Sequence, residues 1–81
     1  SMNKEIELQM TMRAYLVLKE EYPMSAAFIK PIPDTSKYYF KANVQSFQAP
    51  GRFVLGFLEE VQVLGSKEFI RFIQKVVKKN T

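Results

Sequence analysis

From Glu5 to Met12 polar and apolar residues alternate without a fault, with Ile6, Leu8, Met10 and Met12 on one side and Glu5, Glu7, Gln9 and Thr11 on the other. A period of two belongs to a β-strand with one face buried and one face wet. The pattern returns between Lys37 and Val44, where Tyr38, Phe40, Ala42 and Val44 oppose Lys37, Tyr39, Lys41 and Asn43. Between these strands, residues 13 to 22 carry a helical pattern rich in Ala, Leu, Lys and Glu, which Pro23 stops. Residues 26 to 32 are β-branched or aromatic enough for a strand, and Pro31, which cannot donate to a ladder, confines it to an edge. Pro33-Asp34-Thr35-Ser36 then turns that strand into the next, so residues 26 to 44 read as a hairpin.

After Pro50 and Gly51, residues 52 to 58 suit a two-turn helix, and residues 61 to 64 a brief strand. Ser66 is a good N-cap for a helix from Lys67 to about Lys79. Phe69, Ile70, Ile73, Val76 and Val77 share one face of that helix, with Phe72 at its margin. The order β-α-β-β-α-β-α predicts an α+β fold, a ferredoxin-like split βαβ with a four-stranded antiparallel sheet, both helices on one face, and an added C-terminal helix. In that topology the first and third strands are central, so Glu5 and Glu7 should meet Lys37 and Lys41 across the strands. A chain of 81 residues holds one domain. It is expected over residues 5 to 81, cut from a longer protein, after a vector-derived or disordered start at residues 1 to 4.

Histidine and cysteine are both absent, which removes the commonest general base, the thiolate ligands and every disulfide. No catalytic residue, metal ligand or cofactor is expected, and the chain reads as a non-enzyme. Glu20-Glu21 and Glu59-Glu60 are neighbours in sequence and do not converge on one substrate atom, and the serines lack a histidine to activate them. Apolar runs such as residues 14 to 18 are far short of a membrane span, which needs about 18 residues or more. A cytoplasmic location without membrane contact is expected. Acidic and basic residues balance through Gly65, so the net charge of +4 resides in residues 66 to 81, where Lys67, Arg71, Lys75, Lys78 and Lys79 face Glu68 alone. Cations near a helix C-terminus complement its dipole without any partner.

Lys37-Tyr38-Tyr39-Phe40-Lys41 interleaves aromatic and basic residues as base-stacking sheets do. Glu5 and Glu7 on the neighbouring strand would repel phosphate there, so Tyr38 and Phe40 are expected in the core and Tyr39 alone outside. Arg52 is expected in a loop-to-helix turn, where free amides and a guanidinium could hold an anion together. Arg52, Lys41 and Tyr39 are the candidate anion or partner contacts.

The segment Phe47-Gln48-Ala49-Pro50-Gly51-Arg52-Phe53-Val54-Leu55-Gly56-Phe57, then Glu60-Val61-Gln62-Val63-Leu64 and an amphipathic helix, resembles the C-terminal extension domain of WYL-type bacterial transcription regulators. Tyr22-Pro23-Met24-Ser25 is similar to that family's aromatic-Pro-Met/Ser helix end, and the resemblance spans nearly the whole chain. Leu58 and Gly65-Ser66 depart from a glycine and a Glu-Pro pair usual in the family. The resemblance implies a regulator with an upstream helix-turn-helix that reads DNA and a central WYL domain that senses a ligand, closed by this non-catalytic regulatory or oligomerisation module. Its partners would be the regulator's own WYL domain or a second subunit, a homodimer, with DNA contacted only indirectly. The other reading of the same pattern is a small ferredoxin-like effector-binding domain for a nucleotide or oligonucleotide. Phe28, Ile32, Phe57 and Phe72 exceed what one small sheet and three helices can bury, so some should line an interface.

Overall fold

Thr11 decides where the first strand stops. Its backbone is extended while its side-chain oxygen accepts a hydrogen bond from the Ala14 N–H at 3.2 Å, so it caps a helix rather than continuing the ladder. The computed structural model describes residues 4–80, and there strand β1 runs Lys4–Met10 and helix α1 Met12–Glu21. Met12, expected on the buried face of β1, is therefore a helical residue and exposed. Lys4, expected in the start segment, already belongs to β1; residues 1 to 3 of that segment lie outside the described residues.

Pro23 ends α1 as expected, but it opens a 3₁₀ segment, Pro23–Phe28, where a strand was expected from Ala26. Proline's fixed φ suits a first helical turn, and the Ser25 hydroxyl and amide both donate to the Tyr22 carbonyl, at 2.6 and 2.9 Å. Strand β2 keeps only Ile29–Pro31. The turn to β3, Tyr38–Val44, is closed by Thr35, whose hydroxyl donates to the Ile32 carbonyl at 2.8 Å and accepts from the Lys37 N–H at 3.0 Å. Helix α2 spans Gln48–Gly56, four residues earlier at its start than the sequence pattern suggests, because Ala49, Pro50 and Gly51 are accommodated in its first turns. Strand β4, Val61–Gly65, and helix α3, Lys67–Lys79, follow the expected bounds closely, and Ser66 caps α3 by accepting from the Phe69 N–H.

The strand order is β2-β3-β1-β4, antiparallel throughout, with β1 and β3 central, in keeping with a ferredoxin-like fold. Ile6, Leu8 and Met10 lie opposite Ala42, Phe40 and Tyr38, and these faces carry the core. Ala14 and Leu18 of α1, Phe53 and Val54 of α2 and Phe69 of α3 enter the same core, so all three helices cover one face of the sheet. Tyr15 of α1 stacks on Tyr38 with centroids 4.1 Å apart. Phe72, set at the margin of the apolar face by its sequence position, packs against Phe47, whereas Val77 is exposed. Gly51 admits that packing: a Cβ there would lie 2.7 Å from the Phe72 ring. No described helix is long and apolar enough to cross a membrane.

Candidate functional site

Helix α1 and the 3₁₀ segment stand on one side of the sheet's apolar face and α2 on the other, and a groove of about 740 Å³ opens between them. Its floor is the buried face of the central strands, Ile6 and Leu8 of β1 and Phe40 of β3, continued by Ala42 and Val44. Leu18, Tyr22, Met24 and Phe28 form one wall, and Ala49, Pro50 and Phe53 the other. Asn43, Gln45 and Ser46 close one end, and no charged side chain lines the groove among the described residues. Its volume falls within the range of ligand and peptide sites, roughly 300 to 1,000 Å³.

The exposed wall is local chemistry made visible. A 3₁₀ turn of six residues, Pro-Met-Ser-Ala-Ala-Phe, buries none of them. Met24 is 86% exposed and Phe28 52%, an uncommon state for large apolar side chains that adjoin one another along a groove. The sequence pattern expected Phe28 in a strand and flagged it as surplus; Met24 was passed over, although Tyr22-Pro23-Met24 was the local signal.

The polar face of the sheet holds two of the three candidate contacts. Tyr39 donates to Glu7 Oε2 at 2.5 Å, and Lys41 Nζ lies 3.8 Å from Glu5 Oε2. The Glu7 carboxylate accepts from the phenol, and this bond, with partial desolvation and the charge of Glu7 behind it, pushes the Tyr39 hydroxyl above its usual pKa. Glu7 lies directly opposite Lys41 in register, yet the ion pair forms on the diagonal with Glu5. The expected glutamate–lysine pairing across β1 and β3 is thus present at Glu5–Lys41 only: Tyr39 takes up Glu7, and Lys37 lies before β3, with no glutamate opposite it in the register. Both contacts point to the solvated face, away from the groove.

Arg52 requires a correction. Because α2 begins at Gln48, Arg52 is its fifth residue, exposed and flanked by helical backbone, so the loop-to-helix turn with its free amides lies elsewhere. It is also on the helix-covered side of the sheet, opposite Tyr39 and Lys41. The three residues do not form one site.

A second, smaller hollow of about 510 Å³ lies beside α3, where Phe47 and Phe72 are bordered by Glu68, Arg71 and Lys75. Lys4 Nζ sits 5.4 Å from the centroid of the Phe47 ring, within cation–π reach. Far from both hollows, Glu60 accepts from Thr11 Oγ1 at 3.0 Å and from Arg13 Nε and Nη2 at 3.1 and 2.6 Å. The Arg13 hydrogen bonds, and after them the Thr11 one, hold the Glu60 carboxyl below its ordinary pKa. Glu60, in sequence one of two neighbouring acids that do not converge on a substrate atom, fastens the start of α1 to the turn before β4. Nothing in the local sequence signals a partner 47 residues away.

Comparisons of this chain with protein-family models, with curated proteins and with solved structures return no match.

Proposed function

We propose that this chain is a non-catalytic interaction module, the C-terminal extension of a WYL-type bacterial transcription regulator, acting in the cytoplasm by docking an apolar segment of the regulator's own WYL domain in the groove between α1 and α2. The observation that carries the reading is the groove's wall, where Met24 and Phe28 stand exposed over a floor of buried β-strand residues. Methionine and aromatic side chains on a groove suit a partner's apolar segment, because they repack at little cost. The uncharged lining disfavours a phosphate-bearing occupant there. The motifs around residues 22 to 25 and 47 to 64 support the family, and DNA would be met only through a helix-turn-helix elsewhere in the regulator.

The test reads the coding sequence upstream of this chain for a helix-turn-helix followed by a WYL domain, then titrates that domain into the isotope-labelled chain. Binding should move the resonances of Met24, Phe28 and Ser46, and a Met24→Gln/Phe28→Ser double variant should lose it while staying folded. An upstream sequence without those domains overturns the family reading, and binding that ignores the double variant overturns the site.

A second reading, an effector-binding domain for a nucleotide or oligonucleotide, is favoured by one feature, the aromatic rings beside Arg71 and Lys75 in the α3 hollow. A thermal-shift screen separates the two: a nucleotide at 100 times its dissociation constant adds roughly 2.7 kcal/mol to stability. Arg71→Gln and Lys75→Gln should abolish that gain if the hollow is the site.

A further inference from the structure

The groove and the α3 hollow are neighbours, divided by the segment from Gln45 to Gly51. Gln45, Ser46, Ala49 and Pro50 of that segment line the groove. Phe47, between them in sequence, lines the hollow instead, and a Cβ on Gly51 would meet the ring of Phe72, which lines the hollow too. The residues along this ridge, Gln45, Ser46 and Gln48, are exposed and uncharged. A chain that leaves the groove at its Gln45–Ser46 end passes over them onto α3.

The two sides of the ridge differ in charge. No charged side chain lines the groove among the described residues. Arg71 and Lys75 border the hollow, with Glu68 as the acid there, and Lys4 Nζ sits 5.4 Å from the Phe47 centroid. Neither Arg71 nor Lys75 has an ion-pair partner among the described residues. The helix dipole does not account for them, because it favours cations in the last turn, where Lys78 and Lys79 stand, and Arg71 and Lys75 lie in the body of α3.

We propose that groove and hollow form one docking surface for an extended segment of the partner protein, with its apolar residues in the groove and acidic residues on α3; this rests on the reading that the groove receives an apolar segment of the WYL domain. The spacing follows from the backbone. A ridge one chain wide, about 10 Å, is crossed by about three extended residues. Arg71 and Lys75 stand roughly 6 Å apart along the helix axis, close to the roughly 7 Å between alternate residues of an extended chain, so two acids in alternate positions meet both cations. The opposite wall disfavours the reverse placement, since the exposed Glu20 and Glu21 end α1 just before Tyr22. A nucleic-acid strand fits the hollow less well. Phe47 and Phe72 are half-buried and tilted 54° to each other, Lys4 lies over the Phe47 ring, and Glu68 repels phosphate, so bases find no free pair of ring faces to stack on.

Fluorescently labelled synthetic peptides test this: three apolar residues, a Ser-Gly-Ser spacer, then Glu-Ser-Glu, made in both chain directions, beside versions with Gln in place of Glu. In one direction the Glu peptide should bind about fivefold tighter than its Gln version, the size expected of two exposed ion pairs, and the preference should fade as salt rises. Arg71→Gln/Lys75→Gln should erase the preference and keep the binding shown by the Gln peptide. Met24→Gln/Phe28→Ser should lose both peptides, and Lys30→Gln/Lys37→Gln, in the β2–β3 hairpin, should leave the preference intact. Glu and Gln peptides that bind alike, or a preference that survives Arg71→Gln/Lys75→Gln, would overturn the proposal and leave the groove reading standing. Binding of neither peptide overturns it too, and the groove reading then stands or falls by the WYL-domain titration. A single-stranded oligonucleotide that binds at Arg71 and Lys75 more tightly than the Glu peptide would assign α3 to nucleic acid and overturn the proposal as well.

Discussion

The two halves of this sheet face the same way and are finished differently. Over β1 and β4, α2 and α3 close the core with rings: Phe69 is wholly buried, Phe47 lies 5.1 Å from it, and Phe72 seats over Gly51. On the α1 side, a 3₁₀ segment that buries nothing follows the helix, and between it and α2 a groove reaches down to Phe40 of β3 and to Ile6 and Leu8 of β1. The split βαβ topology supplies one helix per half, and only the half with α3 receives a second. The added helix is therefore the reason one side is sealed, and the lack of a counterpart is the reason the other can receive a partner.

The comparison breaks most sharply at Phe69 against Met24. Phe69→Ala should cost about 3 to 5 kcal/mol through the cavity left in a packed core, a large share of the stability of a small domain. Met24→Gln, at an exposed position, should stay within about 0.5 kcal/mol of the parent. Denaturant unfolding of both variants measures the contrast. A comparable loss at the two sites would mean that the groove wall is part of the folding core.

The glycines of α2 sharpen it at smaller scale. Alanine at a helical glycine gains about 1 kcal/mol where there is room, and at Gly56 no atom lies within 4 Å of the new Cβ. Gly56→Ala should raise stability by roughly 0.4 to 1 kcal/mol. At Gly51 the new Cβ would press on the Phe72 ring at 2.7 Å, and overpacking of about 1 to 3 kcal/mol outweighs the helical gain. Gly51→Ala should therefore destabilise, and thermal melts of the pair, with opposite signs, check how tightly the α2–α3 half is closed.

How far the fold could be read from the sequence follows the same division. β1, β3 and α3 carry long periodic patterns, with alternation for the strands and a capped amphipathic stripe for the helix, so their existence and facing were legible; β4 was legible only as a brief strand, its alternation broken at Val63-Leu64 where the pairing with β1 shifts register. One misreading, Met12, comes from an alternation that runs on past the Thr11 cap; the displaced elements fall where the pattern is interrupted by proline. Pro23 admits a 3₁₀ turn as readily as it ends a helix, and Pro50 sits comfortably in the first turn of α2, so the strand expected from Ala26 and the helix expected from Arg52 were displaced. The candidate site was lost by the same route. A groove wall made of exposed Met24 and Phe28 looks, in one dimension, like surplus core, and Arg52 looked like an anion contact only because α2 was started too late.

The smallest expected effect concerns the clasp at Glu60, which ties α1 to the turn before β4 on the sealed side. Thr11 and Arg13 bond the carboxylate form, so the folded state holds it below the ordinary value of about 4.5. A carboxyl that takes up its proton at lower pH when folded makes unfolding a proton-binding step, so its contribution is complete above that ordinary value. It is lost as the pH falls below about 4.5, through the lower folded value. Glu60→Gln should therefore be less stable than the parent near neutral pH, and the gap between their melting temperatures should close on acidification. Because Arg13 is 69% exposed in its side chain, salt should weaken its share of the gap, while the Thr11 hydroxyl bond should persist. Arg13→Ala should accordingly remove the salt-sensitive part and Thr11→Val the rest, together with the cap on α1. A gap between parent and Glu60→Gln that stays constant from neutral to acid pH would mean that the clasp contributes through packing rather than through its charge.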